Sequence, residues 1–252
     1  DGGVIAVIYA IADLHLSFAQ NKPMDVFGPV WRNHAERLRE NWIEVVKKDD
    51  DLVIIPGDIS WAMRAEDVKV DLEWIGELPG TKLLIKGNHD YWWSTMSKAR
   101  ELMPARSYAL LGDMFLWQEM VIVGLRGWVC PGDTAFSAKK DYRIYQRECD
   151  RLEKVLRKAS KVKAKELIVA MHYPPFNHLK EPSGFTRLME RWAVDLCVYG
   201  HLHDYALKYA YDGVLDGVEY RCVSADKLLF KPEPCLPIRT DRKELLRPTF
   251  SI

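Results

Sequence analysis

Short runs of Val, Ile and Leu recur along the chain, and they constrain the fold more than any other feature of the sequence. Apolar runs without alternation are typical of strands that are buried on both faces. They cover residues 4–12, 52–56, 82–85, 120–125, 166–171 and 195–199. Between them, apolar residues repeat every three or four positions, which predicts amphipathic helices over residues 31–45, 68–75 and 145–159. Alternating strands and helices favour an α/β fold.

The C-terminal third has a different pattern. After Leu202, aromatic and β-branched segments are interrupted by Asp212-Gly213 and Asp216-Gly217, pairs that are typical of hairpin turns. We therefore expect additional antiparallel strands there. Because no repeat, low-complexity tract or Gly/Ser linker divides the chain, we expect a single domain over residues 1–252, with a core over 4–231 and a surface extension over 232–252.

Charge and cysteine content narrow the class of protein. The 36 basic and 36 acidic side chains balance, so no global positive field favours nucleic acid or an anionic membrane as a partner. Five scattered cysteines without a CxxC motif are typical of reduced thiols in the cytoplasm. No apolar run approaches the roughly 20 residues of a membrane-spanning helix. We therefore expect a soluble, cytoplasmic protein.

Asp, Asn and His side chains follow five of the predicted strands. The motifs are Asp13-Leu14-His15, Gly57-Asp58, Gly87-Asn88-His89-Asp90, His172 and Gly200-His201-Leu202-His203. Loops at the carboxyl ends of parallel strands meet at one edge of a sheet, so these side chains are expected to converge. If the backbone is locally extended, Leu14 and Leu202 turn inward, and the two residues that flank each leucine point together towards the expected site.

The donor types in these motifs indicate a metal site. Carboxylate oxygens, an amide oxygen and imidazole nitrogens are ligands that Mn, Fe, Zn and similar divalent ions accept. Taken singly, a buried His is more often a hydrogen-bonded core residue, and a Gly-Asp pair is more often a turn. Five such motifs at corresponding strand ends favour a shared functional site. His34 and His178 lie outside the motifs, and we interpret both as structural.

The order D-x-H, G-D, G-N-H-D, H and G-H-x-H resembles the calcineurin-like metallophosphoesterase superfamily, over residues 4–231. Residues 57–63 and 172–177 also resemble a bacterial branch of predicted phosphohydrolases. The resemblance implies a metallophosphoesterase-type sandwich of mixed β-sheets flanked by helices. It also implies hydrolysis of a phosphomonoester or phosphodiester, of a small molecule or nucleotide, by a hydroxide that bridges two divalent metal ions.

The resemblance assigns a role to each motif residue. One metal would be bound by Asp13, His15 and His203, the other by Asn88, His172 and His201, and Asp58 would bridge the two. His89 would stabilise the phosphoryl charge or protonate the leaving group, and Asp90 would orient the His89 imidazole. Three residues after Asp58, where the family often has Asp or Tyr, this chain has Trp61. The Fe(III)-tyrosinate subclass is therefore disfavoured.

Substrate-binding residues are less defined by the sequence. Tyr91, Trp92 and Trp93 are candidates for stacking on a nucleobase or aryl group, although packing in the core is the more common role of such side chains. The predicted loop over residues 126–147, with Lys139, Lys140 and Arg143, is a candidate phosphate-binding segment or a solvated loop. Residues 177–186 are a further candidate rim of the cleft.

Two other functions are compatible with the same fold. One is a protein-interaction scaffold with impaired metal chemistry, and the other is storage or sensing of metal. The presence of His89 and of every expected ligand favours the enzyme over both.

Overall fold

The computed structural model describes residues 6–20 and 22–235. Its strands are β1 (Ile8–Ala10), β2 (Leu52–Pro56), β3 (Thr81–Ile85), β4 (Ser107–Leu110), β5 (Asp113–Trp117), β6 (Met120–Leu125), β7 (Glu166–Met171), β8 (Leu196–Tyr199), β9 (Gly213–Leu215), β10 (Val218–Cys222) and β11 (Glu233–Pro234). Its α-helices are α1 (His34–Val45), α2 (Lys69–Glu77), α3 (Met96–Leu102), α4 (Ala138–Ala159) and α5 (Gly184–Arg191).

The strands form two mixed sheets, in the orders β11-β1-β2-β3-β4 and β5-β6-β7-β8-β10-β9. In the first sheet, β1 to β4 are parallel and β11 is antiparallel to β1. In the second, β6, β7, β8 and β10 are parallel, and the two outer strands are antiparallel to their neighbours. The predicted α/β class with mixed sheets is confirmed, and so is the hairpin turn at Asp216-Gly217 between β9 and β10.

Both faces of the sheets are buried, which explains the continuous apolar runs. Ile54 of β2 and Ile168 of β7 belong to one apolar layer that both sheets share. The neighbouring residue Val53 belongs instead to a cluster with Leu38 of α1 and Leu72 of α2. A strand with apolar neighbours on each face has no position where a polar residue is favoured, so alternation is lost.

Some predicted boundaries were wrong. Helix α1 begins at His34, and Trp31 ends a separate 3₁₀ turn, Pro29–Trp31. Helix α4 begins at Ala138, so Lys139, Lys140 and Arg143 lie on a helix and not in the predicted 126–147 loop. The first turn of α4 is mostly exposed, and without apolar residues on a core face its periodicity could not be recognised. Elements α3, β4 and β5 were not predicted.

The chain after Lys231 returns to the first sheet. Glu233 and Pro234 pair with Ala10 and Tyr9 of β1, and the Cys235 amide donates to the Ile8 carbonyl over 2.7 Å. The predicted surface extension is therefore wrong for residues 233–235, and its remainder, 236–252, lies outside the described residues. Within the described part of the chain, none of the helices has the length and apolar character needed to cross a membrane.

Candidate metal centre

The loops after β1 and β2 remain hydrogen-bonded to each other beyond the strands themselves. The Asp13 amide donates to the Gly57 carbonyl over 2.9 Å, and the His15 amide donates to the Asp58 carbonyl over 3.0 Å. Leu16 and Ser60 then form an isolated parallel bridge. This pairing places the Asp13-Leu14-His15 and Gly57-Asp58 motifs side by side at the carboxyl edge of the first sheet.

Four of the predicted ligands have a backbone in the left-handed region. The φ angles are 62° at Asp13, 45° at His15, 51° at Asp58 and 73° at His201. The locally extended backbone expected on either side of Leu14 is therefore wrong, although Leu14 is buried as expected. Non-glycine residues with positive φ are uncommon, cost about 1–3 kcal/mol each and cluster at functional sites, where surrounding contacts hold them in place.

Two motif glycines allow a close approach of neighbouring loops. A Cβ atom on Gly87 would lie 2.1 Å from Asp58 Oδ1, and one on Gly200 would lie 2.4 Å from Asp13 Oδ2. Both distances are far inside van der Waals contact. Glycine is therefore required before Asn88 and before His201 for the carboxylates to reach their positions.

The structure brings the predicted ligands into two adjacent groups. Within each group, one ligand atom per residue lies within 4.8 Å of the others; the groups are Asp13, His15 and His203, and Asp58, His172 and His201. Asn88 Oδ1 lies 2.6 Å from His172 Nε2, beside the second group. His201 and His203 thus serve different groups, although one residue separates them in the sequence.

Asp58 belongs to the second group and also faces the first. Its Oδ2 atom is 3.8 Å from His15 Nε2 in one group and 3.5 Å from His172 Nε2 in the other. Its Oδ1 atom accepts a hydrogen bond from the His89 amide over 2.8 Å. The carboxylate is thereby held with one oxygen directed at the imidazoles of both groups.

The hydrogen bonds of the imidazoles fit metal binding. His172 Nδ1 lies 3.0 Å from the Pro56 carbonyl oxygen, which can only accept, so the ring proton is on Nδ1. His172 Nε2 then presents a lone pair towards Asn88 Oδ1, another acceptor. A bound cation would remove this opposition between two acceptors, and donation of the other ring N–H to a carbonyl is usual for ligating histidines.

Asp226 supports His203 in the same way, although it is not among the residues predicted from the sequence. Asp226 Oδ1 lies 2.9 Å from His203 Nδ1, while its Oδ2 accepts from the Asp204 amide over 2.8 Å. His203 Nε2 is left facing Asp13 Oδ1 at 3.4 Å. The available signal was a carboxylate shortly after an apolar strand, in Val223-Ser224-Ala225-Asp226.

Burial and mutual repulsion dominate the electrostatics of the protein without metal. Burial, together with the neighbouring charge of Asp13, raises the pKa of Asp58. Burial and the His172 imidazole lower the pKa of His201 to about 3. For His203, burial opposes protonation, but Asp13 and Asp226 outweigh it and raise the pKa to about 10. Divalent cations would replace these protons, which makes metal affinity dependent on pH.

His89 and Asp90 have different surroundings. The His89 side chain is one-third exposed, and its Nε2 lies 4.0 Å from Asp58 Oδ2. Asp90 is buried and accepts from the amides of Ile59, Ser60 and Gly87 over 2.9, 3.2 and 2.7 Å. Among the described residues His89 Nδ1 has no hydrogen-bond partner. The expectation that Asp90 orients the His89 imidazole therefore does not hold in this structure, where Asp90 ties the Asp58 loop to the Asn88 loop.

Trp61 stands at the position where the family often has Asp or Tyr, and it lies beside the imidazoles of His15 and His89. Its ring stacks on His15 at 4.8 Å between centroids and contacts the His89 ring at 4.3 Å. Its Nε1 atom donates to Met24 Sδ over 3.0 Å, and Lys22 Nζ lies 3.0 Å from the ring centroid. Trp61 therefore links the candidate metal site to residues 22–24.

A cavity of about 310 Å³ opens onto the ligand groups. Its lining consists of His15, Met24, Phe27, Trp31, Asp58, Trp61, His89, His201, His203 and Asp204. Trp92 and Trp93 are 3% and 1% exposed and pack in the core, the more common of the two roles considered for them, whereas Tyr91 is 55% exposed. None of the lining residues comes from the candidate segments 126–147 or 177–186.

The model of the calcineurin-like phosphoesterase family matches residues 6–205. The chain belongs to this family. Members are phosphoesterases that generally bind two divalent metal ions, and this chain has two candidate ligand groups. The family therefore supports a hydrolase acting on a phosphate ester.

Individual relatives are more distant. Gene 66 protein of Mycobacterium phage L5 is 35% identical over 79 residues, which span 31% of this chain and 37% of the phage protein. Phosphopantetheinyl hydrolase of Mycobacterium tuberculosis superposes with a TM-score of 0.59 at 16% identity, over 93% of this chain and 97% of that one. A sulfate thiohydrolase of Thermus thermophilus has a TM-score of 0.50 at 14% identity, over 90% and 53%. At these identities the two structures show a shared fold.

Proposed function

We propose that this chain is a dinuclear metal-dependent phosphoesterase that hydrolyses a phosphomonoester or phosphodiester of a small molecule or nucleotide. The observation that supports this proposal is the pair of ligand groups, with an oxygen of Asp58 facing imidazoles of both, beside one cavity. Metal storage would need the ligands but not His89, which faces the same cavity without being a member of either group.

The ligand atoms suit two divalent cations. Asp13, His15 and His203 would hold one, Asn88, His172 and His201 would hold the other, and Asp58 would bridge them. When bound, the cations would lower the pKa of a water molecule and neutralise charge on the phosphoryl oxygens. Oxygen and nitrogen donors of this kind accept Mn, Fe, Zn and similar ions.

The protein's own groups would position the ester and complete the proton transfer. In hydrolysis, the water oxygen forms a bond to phosphorus, the bond from phosphorus to the leaving oxygen breaks, and the leaving oxygen takes up a proton. His89 is the partly exposed imidazole beside Asp58, so we assign it to the phosphoryl oxygens or the leaving oxygen. Asp90 would act on the site by holding the Asp58 and Asn88 loops together.

A substrate panel tests the proposal directly. We expect purified protein with added Mn²⁺ to hydrolyse 4-nitrophenyl phosphate, its bis-ester or a cyclic nucleotide, and to lose this activity after treatment with a chelator. The metal content per chain, measured by mass spectrometry, should be two. Two bound metals without turnover on any mono- or diester would contradict the enzyme and favour the interaction scaffold.

A further inference from the structure

The cavity beside the ligand groups has two unlike sides. One side is the metal site with His89, and the other is an apolar wall that we define as Met24, Phe27, Trp31 and Trp61. Three of these four residues come from one segment, which contains the 3₁₀ turns Met24–Phe27 and Pro29–Trp31. Nothing in the motifs assigns this segment a role.

The apolar wall is built against the metal ligands themselves. The Trp31 ring lies 5.8 Å from that of His15 and 5.4 Å from that of His203. Trp61 stacks on His15 and is tied through its Nε1 atom to Met24. A phosphate ester held at the ligand groups would therefore have its organic part within reach of the wall.

Phe27 is the accessible part of the wall. Its side chain is 50% exposed, whereas Trp31 and Met24 are almost fully buried. A large aromatic side chain that lines a cavity and is half exposed offers area that a bound apolar group would remove from water. The neighbouring Val26 is 71% exposed but does not line the cavity.

Polar groups that would recognise a sugar are scarce in the cavity. Apart from the ligand groups and His89, Asp204 is the single polar member of the described lining. Hydroxyl groups moved from water into this space would lose hydrogen bonds without replacing them, which is costly. An alkyl or aryl group has no such requirement.

We propose that the apolar wall binds the organic part of the phosphate ester, and that this part is an alkyl or aryl group rather than a sugar. This proposal rests on the proposed function for the position of the phosphate. The cavity volume of about 310 Å³ is at the lower end of ligand pockets, which leaves room for a phosphate and a group of about six carbons.

Binding of two non-hydrolysable probes tests the wall without relying on turnover. Methylphosphonate and n-hexylphosphonate share the phosphonate group and differ only in apolar length. We expect the Mn²⁺-loaded protein to bind the hexyl compound at least about tenfold more tightly in calorimetry, since full burial is worth roughly fourfold per methylene. Phe27→Ala should remove at least about a third of this gain in free energy. The matched variant Val26→Ala should keep it.

The outcomes separate the two proposals. Equal affinity for both phosphonates, or an unchanged gain in Phe27→Ala, would overturn the apolar wall even if simple esters are hydrolysed. Tighter binding of n-hexylphosphonate than of methylphosphonate, in a protein that hydrolyses no ester, would support the apolar wall and overturn the proposed function. Binding of neither phosphonate, or tighter binding of a nucleoside monophosphate than of the hexyl compound, would also overturn the assignment.

Discussion

The two ends of strand β2 each have a buried aspartate, but their surroundings are opposite. Asp51, just before the strand, accepts from the Val7 amide over 2.9 Å and from the amides of Lys47 and Lys48 over 3.2 and 3.1 Å. Asp58, just after it, has one oxygen that faces imidazole nitrogens 3.5 and 3.8 Å away. The first carboxylate is satisfied by the backbone, whereas the second faces groups that also need a partner.

Strand β3 repeats this contrast. Near its start, the buried Lys82 ammonium donates to the carbonyls of Gly76, Leu78 and Gly80 over 3.3, 2.5 and 3.0 Å. Beyond its end, the Asn88 amide oxygen faces His172 Nε2. Buried polar groups that are fully hydrogen-bonded stabilise a fold, whereas a cluster of mutually facing acceptors indicates a site for a ligand. In these two strands the polar groups near the amino ends are therefore satisfied within the fold, whereas those beyond the carboxyl ends are the candidate ligands.

Exchanging aspartate for asparagine at each end of β2 should give the largest effects. We expect Asp58→Asn to lower kcat/KM by about 1,000-fold or more and to release one or both metals, because a neutral amide cannot replace the carboxylate that is proposed to bridge them. The free energy of unfolding of the metal-free protein should change by less than about 1 kcal/mol, since burial and Asp13 already oppose the Asp58 charge.

Asp51→Asn is the matched control, and it should lower stability without changing activity. It loses charge-assisted hydrogen bonds to three amides, so the free energy of unfolding should fall by about 2–3 kcal/mol in urea titrations. Activity per folded molecule should be unchanged. If Asp51→Asn instead releases metal, or Asp58→Asn keeps full activity, the contrast between the two ends is wrong.

His89→Ala should separate catalysis from metal binding. We expect the rate to fall by roughly 100- to 10,000-fold, as is typical of the loss of a general acid or of a phosphate-stabilising group. Metal content should remain that of the unchanged protein, because His89 is a member of neither ligand group. His178→Ala, at a histidine outside the cavity, serves as the control and should keep its rate. Loss of metal from His89→Ala would assign His89 to the metal site.

Asp226→Asn should have an intermediate effect, on metal affinity at the carboxyl ends of the strands. Without the carboxylate, the His203 ring is less firmly held with Nε2 towards Asp13, and metal affinity should fall by about 10- to 100-fold. Competition with a chelating dye measures this affinity. Asp216→Asn, in the turn between β9 and β10, should leave it unchanged. Equal affinity in Asp226→Asn and the unchanged protein would argue against a positioning role.

Lys82→Met should have the smallest effect, confined to stability. It leaves three carbonyls without their donor, so we expect a loss of about 1–3 kcal/mol of unfolding free energy, with activity per folded molecule unchanged. Burial lowers the pKa of Lys82 to about 8 in the folded protein. The unfolded chain keeps this proton to higher pH, so the contribution of Lys82 to stability should rise from pH 8 to pH 10.

The variant and the unchanged protein are compared at both pH values in urea. Lys82→Met should lack that rise, and its deficit relative to the unchanged protein should be larger at pH 10. Lys47→Met, at an exposed position, is the control and should show no such difference in its dependence on pH.

The sequence by itself determined the parts of this protein that depend on local composition. Strands buried on both faces require unbroken apolar runs, and carboxylate, amide and imidazole groups are typical metal ligands, so six strands and the motifs that follow five of them could be recognised from neighbouring residues. The order of the motifs then identified the family. Elements without such a local signature, such as the half-buried β5, were missed.

Long-range contacts settled the rest. Asp226 meets His203 across 23 positions, β11 returns to β1 from the far end of the chain, and Asp90 bonds the Asp58 loop 30 residues away rather than the adjacent His89. The segment with Met24 and Phe27 lines the cavity, and the hydrogen bond from Trp61 Nε1 to Met24 Sδ connects it to the candidate ligands. Contacts between distant segments leave no repeating pattern in the sequence of either segment, because each contact depends on where folding places the other segment.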